Sequence, residues 1–296
     1  MITLGVIGAL LTILVFTRQK AFQRNPTTIY LLAGGIMTAI HLPTIYLQSI
    51  LVDGFGLGVF NTNEIACREH NYLLYVTTVP TISFPCFAAF DQYASTRREA
   101  SFRNRWRSLR LVRLLIVSSV VFWALVYIPI LFISHSVNNI CVMESGVIAN
   151  INDYFLTPLV YTISPLTFIV VFTWKTVENL RSTFITKQCS KFTKQIRRML
   201  TPQLIVLAIS GIPFGLQSVY FNLTNDIPKD NQRQAIEHLF VQINRLFYHC
   251  NFVCPFYIYF YMSSEVRKVV KQLMRKFFKF NSMTTLRAMD GNTRTF

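Results

Sequence analysis

Long apolar runs separated by short polar connections dominate this chain. Seven such runs fall at about 1–17, 27–51, 67–93, 111–134, 154–177, 199–221 and 238–262. An α-helix needs ~20 apolar residues to cross the hydrocarbon core of a bilayer. The pattern therefore predicts an all-α membrane protein built as a seven-transmembrane helix bundle. The first run carries its positive charges, Arg18, Lys20 and Arg24, after it. A signal peptide carries them before its apolar core, so this run is read as an uncleaved helix. Beyond 262 the period changes. Val266, Val269, Val270, Leu273, Met274, Phe277 and Phe278 recur at three- and four-residue spacing, and Arg267, Lys268, Lys271, Arg275, Lys276 and Lys279 fill the other side. This predicts an amphipathic helix over 263–280 lying on the inner leaflet, then a short disordered tail over 281–296.

Composition sharpens the picture. Of 296 residues, 52% are hydrophobic and 14% charged, against ~25% charged in soluble domains. That leaves little for a large soluble core. The formal charge of +16 would suggest nucleic acid in a soluble protein, but its placement argues otherwise. Twenty-five of the 29 Lys and Arg fall after runs one, three, five and seven, or at the flanking helix ends. The other connections are nearly bare. By the positive-inside rule the N-terminus lies outside and the C-terminus in the cytoplasm of a multi-pass membrane protein. The basic face then suits anionic inner-leaflet lipids and an acidic partner protein, and not nucleic acid. Asn222 opens an Asn-Leu-Thr sequon in a connection that this topology places outside, a candidate glycosylation site.

Among six cysteines, Cys67 opens the third run and Cys141 lies in the long outside connection after the fourth. A bridge between them would pin that connection over the mouth of the bundle; two unpaired outside thiols are the other reading. No cysteine pair has metal-ligand spacing with His, so neither metal nor cofactor is expected. Asp91, Gln92 and Tyr93 sit at the inner end of the third run, Gln92 being 25 residues after Cys67. Trp123 lies mid-way along the fourth run. Pro165, Pro213 and Pro255 interrupt the fifth, sixth and seventh, where proline frees a carbonyl and makes a hinge.

Taken together, Cys67 with Cys141, the Asp91-Gln92-Tyr93 triplet, Trp123, the three prolines, the stretch Cys254-Pro255 to Tyr259 and the basic helix that follows resemble the rhodopsin-like G-protein-coupled receptors. The resemblance covers nearly the whole chain. It points to a divergent member, of the kind found in expanded invertebrate receptor families. Several positions depart from the family pattern. Gln92 stands where the family has Arg, Thr38 where it has a second-span Asp, Gly211 where it has a sixth-span aromatic, and Cys254 where it has Asn before proline. The third position after that proline is Ile258, flanked by Tyr257 and Tyr259, which is either a substitution or a one-residue slip.

The resemblance implies a cell-surface receptor that senses an extracellular ligand and activates a heterotrimeric G protein. The ligand would enter the outer half of the bundle, where His41, Gln48, Tyr75, Thr78, Phe214, Gln217, Ser218, Asn244, Arg245 and Tyr248 are candidates. Arg245 is suited to an acidic ligand. Leu74 occupies the position where amine receptors of the family place Asp, and no seventh-span Lys exists to form a retinal Schiff base. The G protein would meet Asp91, Gln92, Tyr93, Lys194, Arg197 and Arg198. Pro165, Pro213, Cys254, Pro255 and Tyr259 would carry the conformational switch. No hydrolase, metalloprotease or phosphate-loop motif is present, so an enzyme is not expected. A non-signalling scavenger or trafficking partner, and then a channel or transporter, are the alternative readings.

Overall fold

A computed structural model describes residues 1–49, 51, 55–56, 58, 63–137, 140–144, 146–181, 191–224 and 227–275. The expected tail over 281–296 lies outside these residues, as do the side chains of Gln48, Lys194 and Asn222.

The first helix, Ile2–Arg18, ends where the backbone turns extended at Gln19. One helical turn, Lys20–Gln23, leads to the second long helix, Pro26–Ser49. Its proline stands at the first helical position, where no N–H is needed. The third, Glu64–Thr96, is capped by Asn63, whose carboxamide oxygen accepts from the amides of Ile65 and Ala66, with Glu64 in the first turn. Its 33 residues reach roughly 50 Å at 1.5 Å per residue.

A short helix, Ala100–Trp106, precedes the fourth, Leu109–Val126. A two-stranded hairpin, β1 (Ser134–Val137) and β2 (Ile140–Met143), lies over one end of the bundle. The fifth helix begins at Val147–Asn150, widens into π-type turns over Ile151–Leu156 and Leu159–Ile163, and regains α-geometry at Ser164–Arg181. Pro158 and Pro165 each lack the N–H of an ordinary helical bond, and each stands two residues after the end of a widened stretch. The sixth helix is Lys191–Thr224. The seventh, Asn231–Val253, breaks at Cys254 and resumes as Pro255–Met262. After Ser263, residues 264–275 are helical, burying Val266, Val269 and Val270 against the bundle.

Pro213 does not interrupt the sixth helix, which is unbroken from Lys191 to Thr224. Neighbouring helices supply donors around it: Thr162 Oγ1 to the Gly211 carbonyl at 3.4 Å and Asn244 Nδ2 to the Pro213 carbonyl at 3.5 Å. Neither carbonyl is the one that Pro213 deprives of its amide, which is that of Ile209, four residues back.

Four stretches are long and apolar enough to cross a membrane by length and composition alone: Glu64–Thr96, Leu109–Ile133, Val147–Asn179 and Gln195–Phe221. Their burial separates their roles. The third helix has 67% of its apolar window buried and the fourth 11%. The third is therefore the axis of the bundle and the fourth a peripheral helix. Leu114, Val117, Val121 and Leu125 are all more than half exposed at helical spacing, an apolar stripe suited to contact with lipid.

Small residues set the closest approach. A Cβ at Gly215 in the sixth helix would stand 2.5 Å from Thr162 Cγ2 and 2.7 Å from its Oγ1. Close helix contact in membranes relies on such positions. Gly215→Ala is expected to force the fifth and sixth helices apart at about 1–3 kcal/mol, read as a lower melting temperature of the purified protein; an unchanged melting temperature would contradict this packing.

Candidate functional site

Two polar centres lie at opposite ends of the third helix. At one end Cys67 is bonded to Cys141 of β2, with Cα atoms 5.6 Å apart. The hairpin is held to the same helix by further contacts. Arg68 Nε donates to the Ser134 carbonyl at 3.1 Å, and Asn71 Nδ2 donates to Ser134 Oγ at 3.1 Å.

Beneath this end opens a cavity of about 670 Å³, within the usual range for small-molecule sites. Tyr75, Thr78, His41, Phe214, Arg245 and Tyr248 line it, as the sequence suggested. Gln217, Ser218 and Asn244 are not part of its wall. Asn244 Nδ2 instead donates to Gln217 Oε1 at 2.8 Å, tying the sixth helix to the seventh. Sequence reasoning missed His70, Asp153, Tyr161, Gln242, His249 and Phe252, which also line the space. The signal was helical periodicity. His70, Leu74 and Thr78 are one turn apart on one face, as are Gln242, Arg245 and His249 with Phe252. Asp153 and Tyr161 had no such signal, because the wide turns of the fifth helix shift its face.

Aromatic rings build the cavity wall. Phe214 stacks on Tyr248 at 4.4 Å and Tyr75 on Tyr127 at 5.1 Å. The Tyr75 hydroxyl accepts from Asn152 Nδ2 at 3.2 Å. His41 is fully enclosed at 1% exposure, its ring 4.5 Å from Phe252.

At the other end Asp91 is 2% exposed and Gln92 4%. Thr27, at the start of the second helix, donates its hydroxyl to Asp91 Oδ2 and accepts from Gln92 Nε2 at 2.6 Å. Arg107 Nε lies 3.4 Å from Asp91 Oδ1. The buried carboxylate is thus compensated by a cation from the connection to the fourth helix, in the absence of one at position 92. Tyr93 packs on Phe172 at 5.6 Å, with the Arg97 guanidinium 5.8 Å over its ring. Arg197 is half-buried and Arg198 exposed; neither forms an ion pair with an acid among the described residues.

The model of the 7 transmembrane receptor (rhodopsin family) matches residues 8–259. The chain belongs to the rhodopsin family of seven-transmembrane receptors. No match was found among curated proteins.

Between the two ends of this receptor lie the other positions singled out by sequence. Tyr259 is 2% exposed and donates to Gln203 Oε1 at 2.5 Å, joining the seventh helix to the sixth. Asn251 Nδ2 donates to Ser210 Oγ at 2.6 Å, joining the same pair. Ile258 has no such link, so Tyr259 is the tyrosine turned inward. Pro255 opens the last helical segment after the break at Cys254. Pro165 stands where the fifth helix regains α-geometry. A small void of about 30 Å³, lined by Thr12, Thr38, Thr81, Gln203 and Asn251 among others, contains no acid in its wall. It offers a cation hydroxyl and amide oxygens but no counter-charge.

Just outside the seventh apolar segment, Glu237 gathers Lys229 Nζ at 2.6 Å, the Tyr220 hydroxyl at 2.7 Å and Arg233 Nε at 3.0 Å. This clasp joins the ends of the sixth and seventh helices. The Lys229 hydrogen bond, then those of Tyr220 and Arg233, holds the Glu237 carboxyl down from its ordinary 4.5 to about 2. A depressed carboxyl contributes stability above its unfolded value and loses it as pH falls through the folded one. The melting-temperature difference between the native receptor and Glu237→Gln should therefore be constant from pH 5 to 8 and shrink between about 4.5 and 2. A difference that instead changes between pH 6 and 8 would contradict the clasp.

Proposed function

We propose that this receptor lies in the plasma membrane with its disulfide end outside, binds an extracellular small molecule in the cavity, and activates a heterotrimeric G protein at its basic end. The cavity beneath the disulfide-pinned hairpin carries the reading. Its floor residue Phe252 stands two positions before the helix break at Cys254 and three before Pro255. A ligand touching that floor acts on the segment whose Tyr259 and Asn251 grip the sixth helix. It shifts the bundle only by its differential affinity for two shapes. The G protein would meet Asp91, Gln92, Tyr93, Lys194, Arg197 and Arg198. Helix 264–275 exposes Lys268, Lys271 and Arg275, which suit anionic inner-leaflet lipid. Asn222 would carry a glycan on the outer side.

Gln92 favours a second reading. A seven-helix protein with an amide in place of the family's arginine could bind its ligand without signalling, as a scavenger or trafficking partner.

Basal activation across a panel of Gα subtypes separates the two, comparing the native chain with Gln92→Arg at matched surface expression. The receptor reading expects a signal through at least one subtype, with or without the substitution. Silence of both forms across the whole panel would favour the non-signalling reading.

A further inference from the structure

The polar groups of the cavity specify the chemistry of its ligand. Beside the lining residue His41, Thr77 Oγ1 donates to the Leu73 carbonyl at 2.7 Å and Thr78 Oγ1 to the Leu74 carbonyl at 2.6 Å. A hydroxyl has one proton. With those protons on the two carbonyls, both oxygens face His41 Nδ1, at 2.8 and 3.3 Å, as acceptors. The proton between them belongs to His41 Nδ1. No carboxylate contacts this buried ring, and an unpaired buried cation is costly, so the imidazole is neutral. Its Nε2 is then a bare acceptor, and it has no partner among the described residues.

Higher in the cavity stands Arg245. No carboxylate pairs with it among the described residues. Asp153, the acid of the same wall, accepts from Asn152 Nδ2 at 2.8 Å. Arg245 precedes Phe252, the ring packed on His41, by seven residues, about 10 Å along a helix axis. The wall between them carries the stacked rings of Phe214 and Tyr248.

We propose that the ligand is an aromatic carboxylic acid of about two-ring size, its carboxylate held by Arg245 and a hydroxyl or N–H at its far end donated to His41 Nε2. The inference rests on the cavity being the ligand site. Arg245 supplies the charge-assisted contact and sets the polarity of entry. His41 tests for a donor: an analogue without one leaves a buried acceptor unpaired, which is where binding sites discriminate most strongly.

The test uses the purified full chain in lipid nanodiscs and measures binding of 4′-hydroxybiphenyl-4-carboxylic acid. Its comparators are biphenyl-4-carboxylic acid, which lacks the donor, and 4′-hydroxybiphenyl-4-carboxamide, which lacks the charge. The native chain should bind the hydroxy acid at least about tenfold tighter than either comparator. Arg245→Gln should erase the preference for carboxylate over carboxamide, and His41→Phe the preference for the hydroxyl. Equal binding of the three probes, binding of none, or preferences untouched by both substitutions would overturn the proposal. The comparison of probes on the native chain stands even if His41→Phe fails to fold. Because binding is read without a G protein, failure of the receptor reading shows separately, as intact probe preferences in a chain that activates no Gα subtype.

Discussion

The carboxylate of Asp91 constrains the basic end of this bundle more than any other group. It is almost wholly enclosed, and a buried charge persists only when paired and hydrogen-bonded. Gln92 beside it can donate a hydrogen bond but cannot neutralise it. The cation comes from Arg107, fifteen residues on, delivered by the short helix Ala100–Trp106 and the turn that ends it. Thr27 completes the arrangement by donating to the carboxylate and accepting from Gln92. One acid thus fixes the start of the second helix, the end of the third and the connection to the fourth.

The third helix carries this constraint through the whole molecule, with the disulfide at its other end. Along the bundle most buried hydroxyls close on their own helix: Thr12 on Gly8, Thr38 on Gly34, Thr81 on Thr77 and Ser83 on Val79. In lipid, where no water competes, this is how polar side chains remain in an apolar interior. Cross-helix links are specific, and Tyr259 with Gln203, Asn251 with Ser210 and Asn244 with Gln217 are three of them. All three join the sixth helix to the seventh, on both sides of the break at Cys254. The third helix is tied to its neighbours by directional bonds as well, through Thr77 with His41, the Tyr72 hydroxyl to the Ala124 carbonyl and Asn152 to the Tyr75 hydroxyl.

The helical membrane architecture was legible because lipid-facing and buried positions are both apolar, which makes each helix a continuous run. The basic connections were equally plain. Several features were not. Arg107 reaches Asp91 through a folded connection, and no periodicity links a loop cation to a helix-end acid. The wide turns before Pro158 and before Pro165 rotate the fifth helix, so Asp153 and Tyr161 enter the cavity from positions that an ideal helix would not predict. Pro213 reads as an interruption in sequence, yet the helix runs through it from Lys191 to Thr224. The choice between Ile258 and Tyr259 depended on how the chain restarts after Cys254, a matter of backbone geometry alone. Within the cavity, the residues found from sequence were those on regular helices.

The pairing of Asp91 with Arg107 is tested most directly by a double-mutant cycle on thermal stability, with Asp91→Asn, Arg107→Gln and both together in the purified receptor. Direct pairing predicts that each single substitution destabilises and that the double variant loses clearly less than the two losses combined, a coupling of about 0.5–3 kcal/mol. Strict additivity would mean that Arg107 does not compensate the buried carboxylate, and would contradict this account of the basic end.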